Sequence, residues 1–250
     1  MTLPDFDPTP VYVVLGASGG IGSALIRRLA RAGGRVVLAA RHLERLQPLA
    51  EEVNGHALSV DATSFEQVEQ CLARAVELHG RVDGVACCVG SILLKAAHQT
   101  SFDEFSATVT TNLTSAFATV RAAGKLMTQG GSVVLCSSAA ARIGLANHEA
   151  IAAAKAGIIG LVLSAAATYA PRNLRFNAVA PGLVRTPLAA RITSSESALK
   201  ASTAMHPLGR IGEPGDVASA IEWLLHPCQN WITGQVLGVD GGLAEIKSRP

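Results

Sequence analysis

Seven short, largely apolar runs alternate with helix-patterned segments along the chain, and this alternation constrains the fold more than any other feature. The runs lie at residues 12–15, 35–40, 57–60, 82–89, 132–136, 175–179 and 235–239. They lack the strict polar–apolar alternation of a strand with one wet face, so both faces need cover. A parallel sheet obtains that cover from its crossover helices. Helical patterns fall at 43–53, from Ser64 onward, at 102–127, 149–169 and 216–225, and after the first run, where Ile21, Leu25, Ile26 and Leu29 share a face. Ser64 is placed as an N-cap with Gln67 three residues on, as in a capping box. Asn147 is a candidate N-cap for 149–169, with His148 in its first turn. No linker or solenoid repeat interrupts the series. The reading is a single doubly wound α/β domain over residues 1–250, with a Rossmann-like parallel sheet of about seven strands.

Between the first run and the first helix stands Gly16-Ala17-Ser18-Gly19-Gly20-Ile21-Gly22. Glycine suits a backbone that must turn tightly and approach a pyrophosphate, with helix N-terminal N–H groups aimed at the anion. The second run ends Ala39-Ala40-Arg41-His42, without the acid that commonly holds ribose hydroxyls there. Arg41 is instead suited to pair with a 2′-phosphate, which favours NADP(H).

Charge and cysteine usage narrow the partners. The net charge of +2 comes from 21 basic and 19 acidic residues scattered without a basic stripe, so no nucleic-acid partner is expected. Residues 150–170 are apolar but carry Lys155, which favours a buried or subunit-facing helix over a membrane span. The acidic, proline-containing start, residues 1–10, does not read as a signal peptide, and a cytoplasmic location is expected. Cys71, Cys87, Cys88, Cys136 and Cys228 form no C-x-x-C pair or ligand spacing, so they read as small buried apolar residues and no metal site is expected.

The glycine spacing G-x-x-x-G-x-G resembles that of the short-chain dehydrogenase/reductase family, and the resemblance continues along nearly the whole chain. It implies a cofactor site of Gly16, Ser18, Gly20, Ile21, Gly22, Arg41, Asp61, Ala62, Gly90, Lys155, Pro181, Gly182, Val184 and Thr186. It also implies catalytic roles for Asn112, Ser138 and Lys155. The ending Ile232-Thr-Gly-Gln-Val-Leu-Gly-Val-Asp-Gly-Gly242 resembles the 3-oxoacyl-carrier-protein reductase branch. Members of this kind are usually tetramers, built on the long helix and the helix after it. The small side chains Ala150, Ala152, Ala153, Ala154, Ala156, Gly157 and Gly160 would permit close approach there, and a homotetramer is expected.

Two positions depart from the family pattern. The family's serine lies thirteen positions before a tyrosine and its lysine four after it, which from Ser138 and from Lys155 alike gives position 151, an isoleucine. Isoleucine has no proton to give. Of the two tyrosines, Tyr12 lies in the first strand, upstream of the glycine loop, and Tyr169 lies about 27 Å along the helix at ~1.5 Å per residue. His148 is the best-placed substitute and His206, in a lid over 183–212, a weaker one. The second departure is Cys87-Cys88-Val89-Gly90, where the family shows Asn-Asn-Ala-Gly.

These features leave three readings. One is a slow NADP(H)-dependent reductase of an apolar or aromatic carbonyl compound, with Leu183, Leu188, Ile192, Leu199 and Met205 offering lid contacts. Another is a non-catalytic NADP(H)-binding sensor or interaction protein on the same fold. A third is reduction of an activated double bond, whose proton reaches carbon from solvent.

Overall fold

A computed structural model describes residues 9–247; the acidic start therefore lies largely outside the described residues. Seven strands form one wholly parallel sheet: β1 (Val11–Leu15), β2 (Arg35–Ala40), β3 (His56–Ser59), β4 (Gly84–Cys87), β5 (Gly131–Cys136), β6 (Leu174–Pro181) and β7 (Val236–Val239). Their order is β3-β2-β1-β4-β5-β6-β7, so the order reverses where β1 pairs with both β2 and β4. In open α/β sheets the crevice above that reversal is the ligand site.

Each face of the sheet has its own core. On one face Leu25, Ile26 and Leu29 of α1 (Gly20–Arg31), Leu46 and Leu49 of α2 (Leu43–Val53), and Val217, Ile221 and Leu224 of the late helix Pro214–Leu225 pack on Val14, Leu38 and Val134. On the other, α3 (Phe65–His79) contributes Val68 and Leu72, which pack with Ile158 and Val162 against Val13, Val85, Val133 and Phe176. The doubly covered sheet explains why the strands are apolar on both sides.

Local chemistry modifies some predicted elements. Ser64 caps α3 by accepting from Gln67 N at 3.3 Å, but the reciprocal half of the capping box is missing. The Gln67 side chain instead accepts from Asp61 N at 2.8 Å, tying the helix to the end of β3. The long predicted helix comprises α4 (Phe102–Val109), a π-helical turn (Thr110–Thr114) and α5 (Ser115–Leu126). Next comes α6 (Glu149–Tyr169). It starts one residue later than a cap at Asn147 would place it: Asn147 has φ +63°, and His148 occupies the N-cap without a side-chain cap bond. The segment 183–212 holds α7 (Ala190–Thr193) and α8 (Glu196–Met205), and α9 is the helix Pro214–Leu225.

Helix α6 explains its own apolar composition. Ile151, Ala154, Ile158 and Val162 are buried, the last two in the core against the sheet, while Ala153, Ala156, Gly160, Leu163 and Ala167 form an exposed second stripe. The cysteines depart in part from the expectation of uniform burial: Cys71, Cys87 and Cys136 are buried, Cys88 is partly exposed and Cys228 exposed.

Candidate active site

The glycine loop is shaped by backbone contact. Gly16 has φ +79° and donates to Ala39 O at 2.8 Å, and a Cβ on it would lie 2.9 Å from Cys88 C and Val89 N. A Cβ on Gly20 would lie 2.8 Å from Thr186 Cγ2. This close approach brings Thr186, distant in sequence, against the start of α1. Gly22 is buried in the first turn, Ile21 packs partly on the core, and Ser18 is exposed at the loop's tip. A cradle with so little room for side chains fits a dinucleotide pyrophosphate over the helix N-terminus.

Farther along the crevice, exposed Arg41 stands in the electrostatic field of Asp61. Asp61 accepts from Thr63 N at 2.9 Å and Thr63 Oγ1 at 2.8 Å. Those two bonds, aided by Arg41, hold its carboxyl below the usual range. Ala62 is buried beside it. At the other end Gly182 donates to Val239 O at 3.2 Å, buried Val184 bridges to Gly212, and Thr186 caps the turn at Ala189. Pro181 ends β6 and starts this loop.

Asn112, Gly90 and Lys155 lie close together, and their bonds were not legible in the sequence. A Cβ on Gly90 would lie 3.1 Å from Asn112 Oδ1 and 3.4 Å from Lys155 Nζ. Asn112 lies inside the π-turn, where its Nδ2 donates to Thr108 O at 2.9 Å and Ser91 Oγ at 2.8 Å, and its Oδ1 accepts from Ser91 N at 3.1 Å. Ser91 had no sequence signal. Lys155 is buried and donates to the Cys136 carbonyl at 2.7 Å. Burial pushes its pKa down, while the thiols of Cys136, Cys87 and Cys88 pull the other way.

Ser138, His148 and Ile151 line one cavity of about 340 Å³ beside Pro181 and Gly182. Ile92, Leu94 and Leu145 add apolar wall, with Leu183, Ile192 and Met205 from the segment 183–212. Leu188 and Leu199 are not among its lining residues, and Leu188 is exposed. Among the described residues, the cavity lining carries no Lys, Arg, Asp or Glu. Ser138 Oγ accepts from Ala140 N at 3.2 Å, which leaves its own proton available. His148 Nδ1 lies 2.7 Å from Ala146 O and must carry a proton to bond a carbonyl, so neutral His148 presents a bare Nε2.

His206 is corrected as a candidate proton donor. It is 3% exposed, its Nδ1 donates to Ser202 O at 2.6 Å, and its Nε2 accepts from Leu183 N at 3.2 Å. Both ring nitrogens are spent holding the end of α8 to the loop after β6. Neither tyrosine reaches the cavity: Tyr12 is buried in β1, and Tyr169 packs on Phe176 at the far end of α6. Among the described residues no cluster suits a metal ion.

Comparison with known proteins agrees with this architecture. The family model described as enoyl-(acyl carrier protein) reductase matches residues 16–244. The chain is 35% identical over 243 residues to an L-rhamnose 1-dehydrogenase (NAD(P)(+)) of Azotobacter vinelandii, covering 92% of this chain and 95% of that protein. It is 32% identical over 240 residues to a 3-oxoacyl-[acyl-carrier-protein] reductase of Thermotoga maritima, covering 93% and 97%. A solved actinorhodin polyketide ketoreductase variant with NADPH superposes with a TM-score of 0.89 at 30% identity, over 95% of this chain and 98% of that one. The chain belongs to the short-chain dehydrogenase/reductase family. Within it, the chain resembles the 3-oxoacyl-carrier-protein reductase branch.

Proposed function

We propose that this protein is an NADP(H)-dependent reductase of small apolar or aromatic carbonyl compounds that works without a tyrosine acid. The observation that carries the reading is the cavity in which Ser138, His148 and Ile151 meet beside Pro181 and Gly182. The close-packed glycines and Thr186 suit the dinucleotide, Arg41 suits a 2′-phosphate, and solved relatives hold NADPH or NADP. Asp61, Ala62 and Val184 would complete the cofactor groove, and Ser18, Ile21 and Gly22 its phosphate end. NADPH, when bound, supplies the hydride.

In this reading Ser138 donates its hydroxyl proton in a hydrogen bond to the substrate oxygen. Lys155 anchors the nicotinamide ribose with the donors left over from its bond to the Cys136 carbonyl. Asn112 keeps the π-turn and Ser91 in place beside it. His148 delivers the proton from Nε2 only as an imidazolium, because its neutral form carries the proton on Nδ1. Acid–base catalysis contributes about 10²–10⁴-fold when well placed, so turnover is slow rather than abolished.

The test is NADPH oxidation by the native protein across ketones, diketones and quinones, with His148→Ala beside it. Slow turnover that His148→Ala reduces further supports the reductase. NADPH binding without turnover of any acceptor would favour a cofactor-dependent sensor or interaction protein instead, a reading supported by the proton-free Nε2 beside Ile151. We also propose a cytoplasmic homotetramer. The free thiols suit a reducing compartment, and the exposed stripe on α6 with exposed Phe102, Phe105 and Phe117 suits contact between copies.

A further inference from the structure

The adjacent pair Cys87-Cys88 stands out in the sequence, but the pleat sends the two thiols to opposite faces of the sheet. Cys87 enters the core beneath α3, α5 and α6, and Cys88 packs on the core beneath α1 and α9. The partner of Cys88 is Cys136. Cys87 is registered with Leu135 across β4 and β5. The next residue along each segment is a cysteine, Cys88 just past β4 and Cys136 at the end of β5, and both belong to the same face. Register and the shared face therefore set the two side chains beside one another. Neighbouring strands run about 4.7–4.9 Å apart, inside the roughly 4.4–6.8 Å Cα separation that a disulfide spans.

The surroundings assign different parts to the two thiols. Interaction with the neighbouring Cys88 thiol, supported by the Lys155 ammonium, holds the Cys136 thiol below its ordinary pKa against the effect of burial. The same interaction and burial push Cys88 up. An electropositive setting of this kind marks the nucleophile of a redox pair, and a neighbouring thiol serves to resolve it. Cys88 is partly exposed and Cys136 retains 9% exposure. Burial pushes the other core thiols up, Cys71 to about 12. Cys228 is exposed but far along the chain, after α9.

We propose that Cys88 and Cys136 are a site of reversible oxidation by hydroperoxides. The Cys136 thiolate attacks a peroxide oxygen; an S–O bond forms, the O–O bond breaks, and the departing alkoxide takes up a proton. The Cys88 sulfur then attacks the sulfenic sulfur; the S–S bond forms, the S–O bond breaks, and hydroxide leaves with the Cys88 proton as water. Two thiols are oxidised to one disulfide, and one hydroperoxide is reduced to an alcohol and water.

The site lies under the cofactor groove. The Cys88 backbone is packed against Gly16, and the Cys136 carbonyl holds Lys155. Closing the disulfide locks these two strand ends to one another and removes the free Cys136 thiol from beside Lys155, which alters both supports. On the cofactor reading above, NADPH affinity falls by roughly ten- to a hundredfold, the worth of one charge-assisted hydrogen bond.

The experiment treats the full-length protein with hydrogen peroxide, followed by intact mass, non-reducing peptide mapping and NADPH titration. The expected result is a loss of two hydrogens, a peptide joining Cys88 to Cys136, reversal by dithiothreitol and weakened NADPH binding. Cys88→Ser and Cys136→Ser should each abolish the cross-link and make NADPH affinity indifferent to peroxide. A cross-link between other cysteines, or oxidation confined to Cys228, overturns the proposal. A Cys88–Cys136 disulfide with unchanged NADPH affinity overturns its link to the cofactor groove. If the reduced protein fails to bind NADPH, the cofactor reading falls, while the peptide map still decides the disulfide.

Discussion

Replacing Gly22 by alanine sets two opposed effects against each other in a single methyl group. Alanine is the better helix former by about 1 kcal/mol. The added Cβ, however, would lie 2.9 Å from Ala17 Cα and 3.0 Å from Gly16 C, and closer still to the Gly16 carbonyl oxygen. All three are backbone atoms. Gly16 cannot retreat without giving up its 2.8 Å bond to Ala39 O. Overpacking of this kind costs about 1–3 kcal/mol, so the net change is a destabilisation of up to about 2 kcal/mol. At roughly 2–4 °C per kcal/mol for a chain of this size, Tm falls by up to about 8 °C. Gly215→Ala is the control, because Gly215 is an exposed residue of α9 with no atom within 4 Å of its added Cβ. It should gain up to about 1 kcal/mol and raise Tm by about 1–4 °C. The assay is thermal unfolding by circular dichroism, with and without NADPH. Gly22→Ala should also lose most of the stabilisation that NADPH confers on the native protein. If Gly22→Ala melted above the native protein and kept the full NADPH shift, the close-packed loop would not be the cofactor site.

Three other outcomes follow from the same geometry. Ile151 and Lys155 are four residues apart on α6 and share a face, so Ile151→Tyr should raise ketone reduction by about 10²–10⁴-fold; a folded, NADPH-binding variant with no gain would remove this cavity from the chemistry. Gly160 lies on the exposed stripe of α6 with nothing within 4 Å in its own chain. For the proposed tetramer, Gly160→Ala should shift the mass measured by light scattering toward smaller species, and an unaltered tetramer or a monomeric native protein would contradict the α6 contact. Burial lowers the Lys155 pKa in the folded state, so between that value and the unfolded ~10.4 the unfolded chain binds more protons and stability rises with pH. The native-minus-Lys155→Met difference in unfolding free energy should climb through that alkaline window, and a flat difference would show that Lys155 is not buried as a charge.

Elements whose signal is local were legible in the sequence. Residues 35–40, 43–53 and 149–169 became β2, α2 and α6 with those bounds, because apolar periodicity and flanking turn residues mark both ends. What sequence alone did not show depends on partners distant in the chain. Nothing local announces that Asn112 bonds Ser91 or that Lys155 reaches the Cys136 carbonyl. The register that seats Cys88 beside Cys136 joins segments nearly fifty residues apart. Mid-helix Thr110, Thr111 and Asn112 are poor helix formers, a signal that would have placed the π-turn. His206 had the right residue type for acid–base work, but tertiary folding had already engaged both its nitrogens.

The central claim is that the native protein moves hydride in this cavity without a tyrosine, and the most direct measurement is single-turnover transfer of deuterium from labelled NADPH. Native protein loaded with the labelled cofactor is mixed with an aromatic ketone or diketone, and the product is analysed by mass spectrometry. Deuterium is expected at the carbinol carbon, transferred slowly and more slowly still by Ser138→Ala. Tight NADPH binding with no deuterium in any product would contradict it and identify a cofactor-binding protein that has left catalysis behind.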